Sequence, residues 1–294
     1  MRKWTVLFLA LSIFIRAETN YPLLSIDTFL SFADHLVDDS APWLDPSKVK
    51  TGDIIYAATP CLQLFFRKYL PNISTKFILV TSNSCGTIDE KYLPLLEDPR
   101  LIAWFGVNIT LIHPKMHLIP LGIPGSRFPN HPEIIEIVKI LKPIQQELCL
   151  DRFFKEKPIH TYLNIRPVTH SSRNAIRDYF ASQPYCEMGS IKPFAQYIED
   201  VKNARFVISP RGGKIDCYRT WETLYAGSIP VVESWGIDSI YEDLPVIIVD
   251  DLTTVTQELL DTAFEQMKHK TFNLEKLHAD YWFNQLRQAQ AACF

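Results

Sequence analysis

The 294-residue chain contains no Gly-x-Gly-x-x-Gly and no Gly-x-x-x-x-Gly-Lys-Ser/Thr run. That removes the usual sequence grounds for a dinucleotide-dependent dehydrogenase or a P-loop NTPase. Cys-x-x-Cys and His-Glu-x-x-His are missing too, so structural zinc and zincin chemistry lack their ordinary ligand spacing. No lysine- or arginine-rich run occurs, and 30 basic against 33 acidic residues leave a net charge of −3. Such a balance gives no long-range attraction to nucleic acid, and any phosphate recognition must be local. Internal repeats and low-complexity tracts are absent. No apolar segment reaches the ~20 residues that a spanning helix needs.

With 47% hydrophobic and 12% aromatic residues, the chain can bury one large core or two medium ones, and its length favours two. Met1-Arg2-Lys3, the apolar run Trp4 to Ile15 and then Arg16-Ala17 fit a secretory signal peptide over 1–17. An uncleaved signal anchor and an apolar first element of the fold are the alternatives. Export predicts a lumenal (ER or Golgi), periplasmic or extracellular protein, with membrane contact only if the signal is retained. Six cysteines, Cys61, Cys85, Cys149, Cys186, Cys217 and Cys293, follow the proposed cut, and an even number in an exported chain permits disulfides. Sequons at Asn72 and Asn108 are compatible with a secretory route.

From Gly52 onward the pattern is regular. Strands are expected at Asp53–Ala58, Phe77–Thr81, Leu101–Val107 and His117–Leu121, with helices at Cys61–Tyr69, Asp89–Leu96 and Ile134–Leu148. After Lys155-Glu156-Lys157-Pro158 the alternation restarts with strand His160–Asn164 and helices Ser172–Ala181 and Phe194–Asn203. Alternating helices and apolar strands predict parallel sheets covered on both faces. The reading is α/β, with an N-terminal domain over 18–150 and a C-terminal domain over 151–294.

The densest information lies between Arg205 and Glu233. The apolar run Phe206-Val207-Ile208 stops at Ser209-Pro210, where proline cannot donate to a sheet ladder. Gly212-Gly213 suits a turn, Asp216 can cap a helix from about Tyr218 to Ala226, Gly227 can end it, and Ile229–Val232 resumes a strand. A strand, a glycine loop and a helix N-terminus present backbone N–H groups and a positive dipole end to an anion. Arg211, Lys214 and Arg219 add cations. Helical spacing puts Tyr218, Trp221, Leu224 and Tyr225 on a packing face and Arg219 with Glu222 on a charged one. Guanidinium matches phosphate, and carboxylate accepts from a ribose diol. The same spacing also fits an ordinary intrahelical ion pair.

Pro210-Arg211-Gly212, Arg219-Thr220-Trp221-Glu222 and Gly227-Ser228-Ile229-Pro230-Val231, in that order, resemble the C-terminal motif succession of exostosin-type glycosyltransferases. The likeness covers about 40 to 50 residues. It implies a GT-B architecture, two Rossmann-like domains facing across a cleft, with the acceptor on the N-terminal side and a nucleotide-sugar, UDP-sugar favoured, on the C-terminal side. A glycan or glycoprotein is the implied acceptor, and neither a cofactor nor an essential metal is implied. The expected donor site is Asn164, Arg173, Ser209, Pro210, Arg211, Gly212, Gly213, Arg219 and Glu222. Arg219 also stabilises the leaving diphosphate. His113 is the candidate general base toward the acceptor. An exported two-domain receptor for a small anion or sugar, or a transferase fold that has lost its activity, are the competing readings.

Overall fold

The computed structural model describes residues 21–39, 43–82, 86–125 and 134–294. The segment read as a signal, Met1 to Ala17, and Cys85 lie outside the described residues. The chain divides into two compact units. The described part of the first is 21–39, 43–82, 86–121, 125 and 278–294, and that of the second is 122–124 and 134–277.

In the first unit α1 (Ile26–Leu30) and β1 (His35–Val37) precede β2 (Asp53–Ala58), and α2 (Leu62–Leu64) runs into a π-helical turn before β3 (Phe77–Ser82). Then come α3 (Leu93–Leu96), β4 (Leu101–Gly106) and β5 (Met116–Leu118). All five strands are parallel in the order β1-β2-β3-β4-β5. β3 is buried at every position, as its unbroken Phe-Ile-Leu-Val run requires of a strand covered on both faces. Sequential order with right-handed crossovers sends the connecting segments to one face. The C-terminal helix, Ala279–Ala291, packs on β3 and β4 and buries Trp282, Phe283 and Leu286. Gln290 Nε2 ties that helix to Gly52 O at 2.9 Å.

The second unit begins with α4 (Ile134–Gln146) and α5 (Asp151–Phe154). It continues through β6 (Ile159–Leu163), α6 (Ser172–Ala181), β7 (Cys186–Met188), α7 (Phe194–Asn203), β8 (Ala204–Ile208), α8 (Tyr218–Tyr225), β9 (Ile229–Glu233), β10 (Ile247–Val249) and α9 (Gln257–Met267). The C-terminal helix of the first unit is α10. Strand order is β7-β6-β8-β9-β10, again all parallel. Both units are therefore α/β with parallel sheets, consistent with Rossmann-like domains. A boundary at 150 would place α4 with the first sheet, whereas it packs against α7 and α8 in the second unit. Its apolar stripe, Ile134, Ile137, Val138 and Leu141, is what those helices cover.

α8 ends as its sequence indicates. Gly227 has φ 72°, its N–H donates to Leu224 O at 3.0 Å, and Ser228 N–H donates to Thr223 O at 3.0 Å. A buried lysine closes this corner: Lys157 Nζ donates to Gly227 O and Ser228 Oγ, both at 2.6 Å. Burial, with Lys155 and Arg152 nearby, pushes its pKa down to about 7. Between pH ~7 and the ordinary lysine range near 10.5 the unfolded chain thus holds a proton that the folded chain has released, so stability from this site rises with pH across that window. Urea unfolding of the parent and Lys157→Met at pH 7 and pH 10 should show the parent gaining on the variant as pH rises. A constant difference would refute this.

Cys61, Cys149, Cys186, Cys217 and Cys293 are all free thiols, so the expected disulfides do not form among the described cysteines. Asn108 is buried at φ 58°, which closes that sequon to modification in the folded chain, while Asn72 is exposed. Among the described residues no helix is long and apolar enough to cross a membrane.

Candidate functional site

The order β7-β6-β8 reverses direction between β6 and β8, and ligands of open parallel sheets bind outside the carboxyl ends of strands at such a reversal. The loop after β6, residues 164–171, and the loop after β8, residues 209–217, emerge there. These two loops and the helices that follow them carry the expected donor residues. The first sheet has no reversal among its described strands.

Arg173, at the start of α6, joins the two loops. Its Nε donates to Arg211 O at 2.7 Å, Nη2 to Pro210 O at 2.9 Å and Nη1 to Arg166 O at 3.3 Å. Only 5% of the residue is exposed. A donor-site contact is the expectation, but these bonds commit the guanidinium to backbone carbonyls, and burial pulls its pKa below the usual arginine value. Gly212 is explained by the same strut. A Cβ there would lie 3.2 Å from Arg173 Nη2, and neither Gly212 nor Gly213 adopts positive φ. Close approach to Arg173, not turn geometry, is what favours glycine here.

Ser209 closes β8, with its N–H on Val231 O at 2.8 Å and its Oγ 2.8 Å from Thr220 Oγ1 of α8. Asp216 does not cap α8. It is buried and accepts from Trp221 Nε1 at 2.9 Å on each oxygen and from Tyr241 O–H at 3.0 Å. The position before the helix belongs to Cys217, whose Sγ donates to Pro210 O at 3.4 Å. At the start of α6 His170 Nδ1 accepts the Ser172 N–H at 3.3 Å, and the side chain of Ser171 caps nothing.

Both faces expected of α8 are covered beyond its first turn, where Tyr218 and Arg219 stay half-buried. Trp221, Leu224 and Tyr225 are fully buried as packing residues, but Glu222 is buried too. No ion pair joins Glu222 to Arg219, which disposes of the intrahelical pair. Instead Tyr197 O–H, from α7, donates to Glu222 Oε2 at 3.0 Å. Burial raises the Glu222 pKa above the ordinary carboxyl value, against the opposing pull of Arg219 and Tyr197. Arg219 is half-buried, and its Nε lacks a hydrogen-bond partner. Arg211 Nε is in the same condition, and its guanidinium carbon lies 4.6 Å from the ring centre of Trp235, just past β9. Asn164 Nδ2 donates to Tyr162 O–H at 3.2 Å and Ser190 O at 3.0 Å, linking the loops after β6 and β7.

Thus Ser209 to Gly213, Arg173 and Arg219 with Glu222 gather around one sheet end. Asn164 borders them. His113 is in the other unit, on the turn entering edge strand β5, with Nδ1 accepting the Lys115 N–H at 3.1 Å. His113 and His117 are four residues apart, but turn and strand geometry deny them the shared helical face on which that spacing binds metal. Tyr197, His170 and Trp235 were not foreseen. Only Trp235 had a local signal, an aromatic in the Ser234-Trp235-Gly236 turn directly after a strand at the ligand-binding end.

No family model matches the chain, and no curated protein matches it. Among solved structures it is similar to one described as the GtfA/B complex, at 10% identity and a TM-score of 0.39. The match covers 83% of this chain and 59% of that one, so this chain spans less than two thirds of that protein's length. A likeness this weak carries no argument about fold or activity.

Proposed function

We propose that the chain is a glycosyltransferase that uses a nucleotide-sugar, UDP-linked in preference to GDP-linked, and transfers the sugar to a glycan or glycoprotein. One observation carries this reading: at the β6/β8 reversal Arg211 and Arg219, each with a buried Nε that lacks a hydrogen-bond partner, accompany a buried carboxylate, Glu222, oriented by Tyr197. Paired guanidiniums match a diphosphate, and a fixed carboxylate accepts from a ribose diol. Arg219 and the α8 N-terminus would stabilise charge developing on the departing diphosphate, so the scheme uses protein cations in that role. Arg173 and Gly212 support the loop rather than touch the donor. The exostosin-type resemblance, resting on the Pro210 to Val231 motifs alone, and a GT-B arrangement of the two units belong to this proposal, as does export directed by residues 1–17. His113, engaged by Lys115, is left out of the donor site.

Calorimetry with UDP, UMP, GDP, GMP and a panel of nucleotide-sugars tests the proposal. Diphosphates should bind at least tenfold more tightly than the monophosphates, since the second phosphate adds charge-assisted bonds of about 1.5–3 kcal/mol. Indifference to all of them would remove it.

A further inference from the structure

Three arginines at the β6/β8 reversal are held in three different ways. Arg173 has its N–H groups committed to carbonyls, and Arg219 has no hydrogen-bonding partner at Nε. Arg211 is stacked: its guanidinium carbon is 4.6 Å from the Trp235 ring centre, while its buried Nε has no hydrogen-bond partner. A guanidinium stacks through its faces and donates hydrogen bonds in its plane, so an aromatic platform immobilises it without consuming a donor or cancelling its charge. A carboxylate partner would do both. Trp235 is itself well placed to hold still. The Ser234 N–H before it donates to Val249 O at 2.9 Å, Gly236 after it turns at φ 80°, and the His170 ring meets its edge at 6.4 Å. Yet the indole remains 40% exposed, so it is not a core residue kept for packing.

From this geometry we infer that Trp235 is a positioning residue that fixes Arg211 as a ready-made clamp for a pyrophosphate group. The inference deepens the donor reading above and rests on it for the identity of the ligand, but the clamp can be probed with inorganic pyrophosphate alone. Trp235→Ala should weaken pyrophosphate and UDP binding about five- to tenfold while leaving the melting temperature of the full chain unchanged. Trp235→Phe, which keeps a ring face, should recover most of the affinity, and Trp235→Leu should not. Arg211→Ala should lose about ten- to a hundredfold, and adding Trp235→Ala to it should cost nothing further, because a pinning residue has no effect without the group it pins.

Parent-like binding by Trp235→Ala, or an equal additional loss in the Arg211→Ala background, would overturn the inference. The second result would mean that the indole touches the ligand itself. If pyrophosphate binding depends on Trp235 but no nucleotide binds better than pyrophosphate, the clamp stands and the nucleotide-sugar reading falls. If the parent binds neither pyrophosphate nor UDP, both fall.

Discussion

Trp221→Ala should lower the unfolding free energy by about 3–5 kcal/mol, the usual range for truncating a fully buried large aromatic. Trp221 has no exposed surface, and its indole N–H is shared between the two oxygens of buried Asp216. Truncation leaves a cavity beneath α8 and takes a donor from a carboxylate that has little access to water. A change of this size corresponds to about 6–20 °C in melting temperature for a domain of 150–250 residues. Trp221→Phe separates the two contributions: it keeps most of the volume and should lose about 1–3 kcal/mol through the missing donor. Urea denaturation of both variants gives the comparison, and a loss below 1 kcal/mol for the alanine variant would contradict the packing described for this helix. Because Asp216 ends the loop that begins at Ser209, the alanine variant should also bind pyrophosphate more weakly than the parent.

The largest effect on turnover is expected from Glu222→Gln and Arg219→Ala, each reducing use of a nucleotide-sugar about 10- to 150-fold. Glutamine is the informative replacement at 222. The residue is buried, and alanine would leave the Tyr197 hydroxyl without its acceptor, mixing a folding defect into the kinetic one. Arg219 is half-buried and its charge favours the ionised form of buried Glu222, so its truncation should lower stability by up to about 1 kcal/mol. Since burial raises the Glu222 pKa, donor affinity of the parent should begin to fall on acidification above the ordinary carboxyl range. Glu222→Gln should lack that acidic limb. Tyr197→Phe, which frees Glu222 Oε2, should fall between the parent and Glu222→Gln. Parent-like kcat/KM in both Glu222→Gln and Arg219→Ala would return the helix to a purely structural role and end the site assignment.

Much of the fold was legible because its central strands announce themselves. Phe77-Ile78-Leu79-Val80 and Phe206-Val207-Ile208 are apolar runs bounded by polar residues, and the strands that hold them lie in the middle of a sheet, where each face is covered. β1 and β7 escaped notice for the opposite reason. Each has three residues at the edge of its sheet, and Cys186-Glu187-Met188 is half-buried to exposed, so neither hydrophobicity nor alternation marks it. In the candidate site the loop Ser209 to Lys214 and the limits of α8 could be read locally, since proline, glycine and helical spacing act on near neighbours. Burial of Glu222 could not. It depends on α7, whose Tyr197 lies over the side of α8 that local periodicity marks as charged. Asp216 is a similar case: beside a helix start its sequence context indicates a cap, yet two buried donors from Trp221 and Tyr241 compete for it and win.

By itself, then, the sequence determined the α/β alternation, the end of β8 at Ser209-Pro210, the stop of α8 at Gly227 and the presence of Arg211 and Arg219 around a glycine loop. Each of these follows from backbone preferences acting over a few residues. Only the tertiary structure decided that β8 lies beside β6 and β7 on its other side, which brings the loop after Leu163 to the loop after Ile208. It also decided what each arginine there does. Arg173 reaches the carbonyls of Pro210 and Arg211, and Arg211 lies on Trp235, because strand order sets which loops meet. That order is chosen by the burial of whole sheets and helices against one another, a long-range free energy that no short stretch of chain carries.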